Sequence, residues 1–521
     1  RREFENSLRE LLAAPWLQVV DRLPEERTFH LFDKSGESLD VSHVQIAKFL
    51  EAGDYAVRTA VNAAAHRPES RRYHIREEGS AQGYVWYRPL QRSATRAAVP
   101  LIGTTPQLGV IRKTEPVTVG GADPVRRDQE ALGFFSGTFS ATTKYDFTRM
   151  RIPIDGRYRL RMKSYTFRGG LNGASGGKDN GLTGGDAKWW RPNRNVAFPG
   201  NRSEPVTLYA LAPGGDSRWL TTYDAHPEVG VVERVVDLRK GEGIRPDASR
   251  LVRTRPGWGG NPNASEDGIP GLAICWLEVE GPLADEWPPP SYRAVFGDFP
   301  FEVGEGGIVR VTSEQPERDA RRLLERFAGR VWQRDGSVAP YYTLYERARA
   351  LGEDFTDAMV ASMSAMLCAP EFLYHELQPG VLGKRDLAVR LANFLHEGPP
   401  DEKLLALELT DPAVRREAVD RLLGDRRGHR FVNAFLDHWL DLRDLNANAP
   451  DALLYPDYYL DELLTESSLR ETRLYFHELI EKDLPARNLV DSDFAFLNER
   501  LADHYGLPAV EGVEPRRVAL A

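Results

Sequence analysis

Apolar and charged residues recur at helical spacing from Arg2 to Leu12, and the same period returns from Val41 to Ala65 through Val44, Ala47, Phe49, Leu50 and Ala56. The opening, residues 1–66, therefore reads as a helical module. Beyond about residue 80 the pattern changes to aromatic and β-branched runs such as Tyr84-Val85-Trp86-Tyr87, broken by Gly and Pro, and it holds to about residue 305. The clearest strand is Gly156 to Phe167, where Tyr158, Leu160 and Met162 alternate with Arg157, Arg159, Arg161 and Lys163, so one face is apolar and the other cationic. Pro205 to Leu211, Val229 to Leu238 and Leu272 to Glu280 fit further strands. Gly169 to Gly185 holds eight Gly in 17 residues, too few side chains for a packed regular element, and reads as a surface loop.

From Glu317 the 3.6-residue period resumes and lasts almost to the end. Ala320, Leu323, Leu324, Phe327 and Val331 share one helix face. Met359, Met363 and Met366 form a stripe that reads as core, Asp411-Pro412 as a helix cap, and Phe431, Phe435, Trp439 and Leu442 as the most apolar helix. The predicted architecture is α+β and multidomain, with an antiparallel β-sandwich over 80–305 inserted after the helical opening. Helical modules over 315–378 and 384–510 follow, and 511–521 begins a further, truncated one. Arg1 stands inside a helical pattern without a starting Met, so the sequence is read as a piece of a longer one.

At 521 residues the chain is too long for one ordinary core. A net charge of −9 gives no general attraction to nucleic acid, and no apolar run reaches the length of a membrane span. Cys275 and Cys368 are the only cysteines and form no C-x-x-C pair, so neither a structural zinc nor an attached c-type haem is expected within the chain. Both are expected reduced and buried.

Several motifs invite a chemical reading. Gly173-Ala174-Ser175-Gly176-Gly177 matches the nucleophile elbow, but no helical pattern follows it, and Gly177-Lys178 lacks the Gly and the Ser or Thr of a phosphate loop. His477-Glu478-Leu479-Ile480-Glu481 misses the second His of a zinc-protease helix, and His477 reads as part of a solvated face with Glu471, Arg473 and Glu478. Asp493, Asn498 and His504 could supply a carboxylate, an amide and an imidazole for acid–base work, against a plain capping role. The cationic face of Arg157 to Lys163 pairs on paper with Glu278, Glu280, Glu233 and Asp237. Trp189 and Trp190 follow the Gly-rich loop and, flanked by Asp186, Lys188 and Arg191, are candidates for a sugar-stacking platform.

Some strings are distinctive as words. They include Arg2-Glu3-Phe4-Glu5-Asn6-Ser7-Leu8-Arg9-Glu10-Leu11-Leu12, Leu23-Pro24 with Phe32-Asp33, and Phe49-Leu50-Glu51-Ala52. Later come Pro370-Glu371-Phe372-Leu373-Tyr374, Pro400-Asp401-Glu402-Lys403-Leu404-Leu405, Leu454-Tyr455-Pro456, and Phe496-Leu497-Asn498-Glu499-Arg500-Leu501-Ala502 with Tyr505-Gly506. In this order they resemble the large planctomycete-type exported proteins assembled from consecutive domains of unknown function, often with a c-type cytochrome domain upstream. The resemblance implies a sandwich similar to carbohydrate-binding jelly rolls, an extracytoplasmic location, and redox or polymer-degrading partners, with any haem outside this chain. The expected function is a glycan-binding or scaffold protein whose helical modules dock a partner such as the cytochrome domain. The alternatives are a hydrolase or polymer-modifying enzyme with its site in the C-terminal helical region, and a redox subunit whose haem domain lies elsewhere.

Overall fold

A computed structural model describes residues 1–25, 42–78, 96–118, 123–137, 146–173, 190–252, 261, 263–332, 336–374, 380–442, 445, 450–451, 454–455 and 463–520. The chain combines helices with antiparallel sheets. Helix α1 is Arg2–Leu11, and α2 is His43–Asn62, headed by a capping box in which Ser42 and Gln45 satisfy each other's backbone N–H groups. The apolar stripe of α2 faces inward only in its second half. Ala52, Ala56, Val57, Ala60 and Val61 are buried, whereas Val44 and Leu50, expected on the same stripe, are exposed.

The partners of α1 and α2 lie far along the chain. They are the helices Pro290–Phe296, Pro316–Val331, Ala339–Ala350 and Phe355–Met366, and the hairpin Phe301–Val303 with Val309–Val311. One continuous core joins Leu8, Leu12 and Val57 to Phe327, Met359, Met363 and Met366. The methionine stripe is thus core.

Among the described residues, eleven strands run between these two helical segments. They are β1 Glu69–His74, β2 Arg96–Ile102, β3 Thr105–Pro106, β4 Glu130–Ser136, β5 Gly156–Leu171, β6 Pro192–Pro199, β7 Glu204–Leu211, β8 Ser217–Ala225, β9 Gly230–Leu238, β10 Gly243–Asp247 and β11 Ile269–Gly281. Eight form one sheet around the long central pair β5 and β11, and β10-β7-β8 form a second, every pairing being antiparallel. The sheets share a core in which Tyr158, Leu160 and Met162 of β5 meet Val206 and Leu208 of β7, Tyr223 of β8 and Ile244 of β10.

After the first core the chain forms the helices Lys384–His396, Pro412–Leu423 and Gly428–Trp439, and Asp411 caps the second by accepting from Ala413 N at 2.8 Å. Phe435 and Trp439, expected in the most apolar helix, leave about half of their surface exposed and stack along its outer side at 5.4 Å. The last unit packs the helices Leu463–Glu481 and Glu499–Tyr505 on the hairpin Phe494–Leu497 with Arg516–Ala519. Charged contacts fasten α1 to this half. Glu10 accepts from Arg430 at 2.7 Å and Arg427 at 3.2 Å, and the buried Asp437 holds Arg2 at 2.8 Å and Arg473 at 3.0 Å.

Candidate functional site

The C-terminal cluster is architectural. Asn498 is fully buried as the N-cap of Glu499–Tyr505: its Oδ1 accepts from Leu501 N at 3.1 Å, and its Nδ2 donates to Ser467 Oγ at 2.7 Å and Val513 O at 2.9 Å. Both amide hydrogens are donated and the carbonyl oxygen accepts the capping N–H, so the side chain is committed to structure, which argues against its reading as a catalytic candidate. Asp493 and His504 are exposed, and no hydrogen bond or ion pair joins either to Asn498 among the described residues. His504 stands beside Tyr505, whose hydroxyl donates to Glu471 at 2.8 Å.

His477 does not belong to a solvated face. It is buried with its ring centroid 3.8 Å from that of His429, and His429 Nε2 lies 3.3 Å from Glu481. Burial, then the charge of His429, push the His477 imidazole down to about 4. Among the described residues no group of three or more His, Cys, Asp or Glu is placed to hold a metal ion.

Of the sugar-platform candidates, Asp186, Lys188 and Trp189 lie outside the described residues, as does Ser175 of the elbow-like motif. Trp190 is buried beside Phe135, Phe167 and Ile269 on the far side of the large sheet, pinned by its N–H to Gly137 O at 2.9 Å. Its indole sits in an apolar cluster and offers no open face, while Arg191 beside it is exposed. Both cysteines are free. Cys275 is buried, but Cys368 is only half-buried, short of the expected full burial.

The cationic strand face is neutralised by its neighbours. On β5, Arg157 meets Asp237 at 3.2 Å, Arg159 meets Glu280 at 3.0 Å, and Arg161 meets Glu233 at 2.8 Å and Glu278 at 2.7 Å. The registers that bring β9 and β11 against β5 create this lattice, since residues directly opposite share a face. It leaves little free charge for a polymeric anion.

Within the sheet unit, an open aromatic surface lies on the outer face of the three-stranded sheet. Core residues Val206, Leu208 and Ala210 of β7 alternate with Thr207 and Tyr209, which therefore face out, and the bulge between Leu208 and Tyr209 brings Tyr209 opposite Trp219 of β8. Trp219 is 45% exposed. Its Nε1 donates to Thr222 Oγ1 at 3.3 Å, and Thr222 Oγ1 lies 3.0 Å from Thr207 Oγ1, so the indole edge is held while a flat face stays in solvent. Arg245, opposite Tyr209 on β10, extends the row and is fixed by Asp146 at 2.6 Å. Sequence reasoning did not single out Trp219. The available signal was its place beside Leu220, whose inward packing sends its neighbour outward.

This is a protein of consecutive helical modules with a sheet unit interposed, and family comparison agrees. Residues 1–62 match PSD3, a protein of unknown function (DUF1587); residues 319–376 match PSD5, a protein of unknown function (DUF1595); and residues 382–507 match PSD4, a protein of unknown function (DUF1592). Three consecutive domains of unknown function thus make up the helical parts, and the sheet unit falls between the first and second. None of the curated proteins compared with the chain matches it. Among solved structures, the carbohydrate binding module (CBM6cm-2) from Cellvibrio mixtus lichenase 5A in complex with cellotriose is similar at 11% identity, over 29% of this chain and 79% of that one. The TM-score is 0.15, at which the likeness carries no structural argument.

Proposed function

We propose that the two-sheet unit, read as a jelly-roll-like sandwich, is a glycan-binding module, and that the helical modules around it form the scaffold that presents it. The observation that carries this reading is Trp219, half exposed on a flat sheet face, held at its edge by Thr222, and set opposite Tyr209. Amphipathic rings fixed in one orientation and bordered by hydroxyl and guanidinium groups suit a sugar, whose ring has apolar C–H faces and a polar rim. On the family resemblance, the protein works outside the cytoplasm beside polymer-degrading or redox partners, with any haem on an upstream cytochrome domain. The C-terminal hydrolase alternative loses its support once Asn498 is committed to capping.

Affinity electrophoresis through gels containing a panel of soluble polysaccharides tests the reading. The wild type is expected to be retarded on at least one polymer. Trp219→Ala, losing one stacking contact of about 1 kcal/mol, should bind about fivefold more weakly. Equal mobility of both proteins on every polymer would remove the sheet face as a binding site.

A further inference from the structure

A second concave site lies where the helical core meets the sheet unit. This cleft, of about 400 Å³, is walled by α2, by the segment leading into β5, by the turn after β9 and by the Gly306-Gly307 turn. On one wall the Tyr55 hydroxyl donates to Asp155, and the second Asp155 oxygen accepts from Lys240 N at 2.8 Å. Burial, followed by the charge of Asp155, pushes the Tyr55 phenol up to about 12, so it remains a donor at neutral pH. The one carboxylate lining the cleft is therefore already engaged.

The cations around it are not matched in the same way. The Arg22 guanidinium lies 3.6 Å from the centroid of the Tyr55 ring, and Lys240 is exposed at the rim. Among the described residues neither has a carboxylate within ion-pair distance. Arg239, by contrast, is neutralised by Asp21 at 2.8 Å. His66 closes the opposite wall, with Nε2 so near the backbone that a Cβ on Gly307 would stand 3.1 Å from it. Asn62 has its Oδ1 fixed by Val309 N at 3.0 Å, which leaves its Nδ2 as a donor.

We propose that this cleft binds a small acidic sugar, with the acid group held between Arg22 and Lys240 and the hydroxyls met by Asn62 and the other polar groups of the walls. The cleft is within the range of small-molecule sites and roomy for a bare inorganic anion. Two cations without a carboxylate partner, Arg22 resting on the Tyr55 ring and Lys240 at the rim, call for an anionic group, and a wall of fixed donors suits a hydroxylated body. A carboxylate or a sulfate would satisfy the same pair. The site is separate from the Trp219 face and does not depend on it.

Isothermal titration of the full chain with glucuronate, galacturonate, glucose 6-sulfate, glucose and inorganic sulfate tests the proposal. Saturable binding of at least one acidic sugar is expected, with glucose and inorganic sulfate at least tenfold weaker. The carboxylate and sulfate arms show which acid is preferred. Lys240→Ala, a change at an exposed position, should weaken binding about tenfold or more, and Trp219→Ala should leave it unchanged. The proposal is overturned by no saturable binding of any acidic sugar, by equal affinity for glucose, by unaltered affinity in Lys240→Ala, or by loss confined to Trp219→Ala.

Discussion

Gly53 lies where α2 packs against the C-terminal end of the helix Phe355–Met366, and it allows the shared helical core to be tested from one position. A Cβ built there would lie 3.4 Å from the Ser364 carbonyl oxygen and 3.6 Å from Leu367 Cβ, which is ordinary contact. Gly53→Ala therefore adds a methyl group without forcing the helices apart and gains about 0.8–1 kcal/mol of helix propensity. The three further carbons of a leucine have no such room. Overpacking of this kind loses typically about 1–3 kcal/mol, and with Leu367 and a backbone carbonyl already at contact distance the upper part of that range applies. Gly53→Leu is thus expected to be about 2 kcal/mol less stable than the wild type after its own propensity gain, and about 3 kcal/mol below Gly53→Ala. Gly329, exposed on the helix Pro316–Val331 with nothing within 4 Å of its virtual Cβ, is the control: Gly329→Leu should be neutral or stabilising. Urea unfolding, followed by fluorescence of Trp16 and Trp332 in this core and by circular dichroism, gives the comparison. Equal stability of Gly53→Leu and Gly53→Ala would refute the packing of the N-terminal helix on a partner some 300 residues away.

Asp437→Ala should destabilise the protein by about 2 kcal/mol rather than the full penalty of a buried unpaired charge, because the arginines it releases are exposed enough to rehydrate; a double-mutant cycle with Arg2→Ala that shows no coupling would dismiss the link from α1 to the C-terminal half. His477 titrates near 4 when folded and near 6.5 when unfolded, so the unfolded chain binds the extra proton between those values and stability falls as pH drops through that window, by up to about 1.4 kcal/mol per pH unit for this group. His74 acts in the same direction, so His477→Gln should reduce the slope of stability against pH between 4 and 6.5 without abolishing it; an unchanged slope would contradict the buried neutral ring. Burial pushes the Cys275 thiol up to about 12, and iodoacetamide at pH 8 should label it only after unfolding, while rapid labelling of the native protein would show that the sheet opens there.

Local order was legible where one short stretch carries the whole signal. The alternation of Arg157 to Lys163 with Tyr158 to Met162 announced both faces of β5, and the acidic alternation on β9 and β11 announced its neutralisation. Asp411-Pro412 declared its cap in two residues. The readings that failed depend on partners far away in the chain. Val44 and Leu50 have the right period yet no surface to meet, and His477 sits at an outward-looking position that becomes interior when His429 stacks on it. Trp190 follows a glycine-rich stretch that suggested exposure, but Phe135 and Phe167 supply an apolar bed no local pattern reveals. The Arg22 and Lys240 cleft joins segments more than 200 residues apart and carries no motif.

The pairing of Glu69 with Gly281 places the entrance and exit of the strand-rich insert side by side. During synthesis α2 leaves the ribosome long before the helix Phe355–Met366 that will bury it. At roughly 5–20 residues per second, the intervening stretch of about 300 residues takes on the order of 15–60 s to emerge. For that interval the inward stripe of α2 has only the first helical turns to shelter it, while the insert can complete its own sheets. Its adjacent ends then hold the waiting helix near the place where its partner appears, so the insert doubles as a splint that shortens the search for the final core.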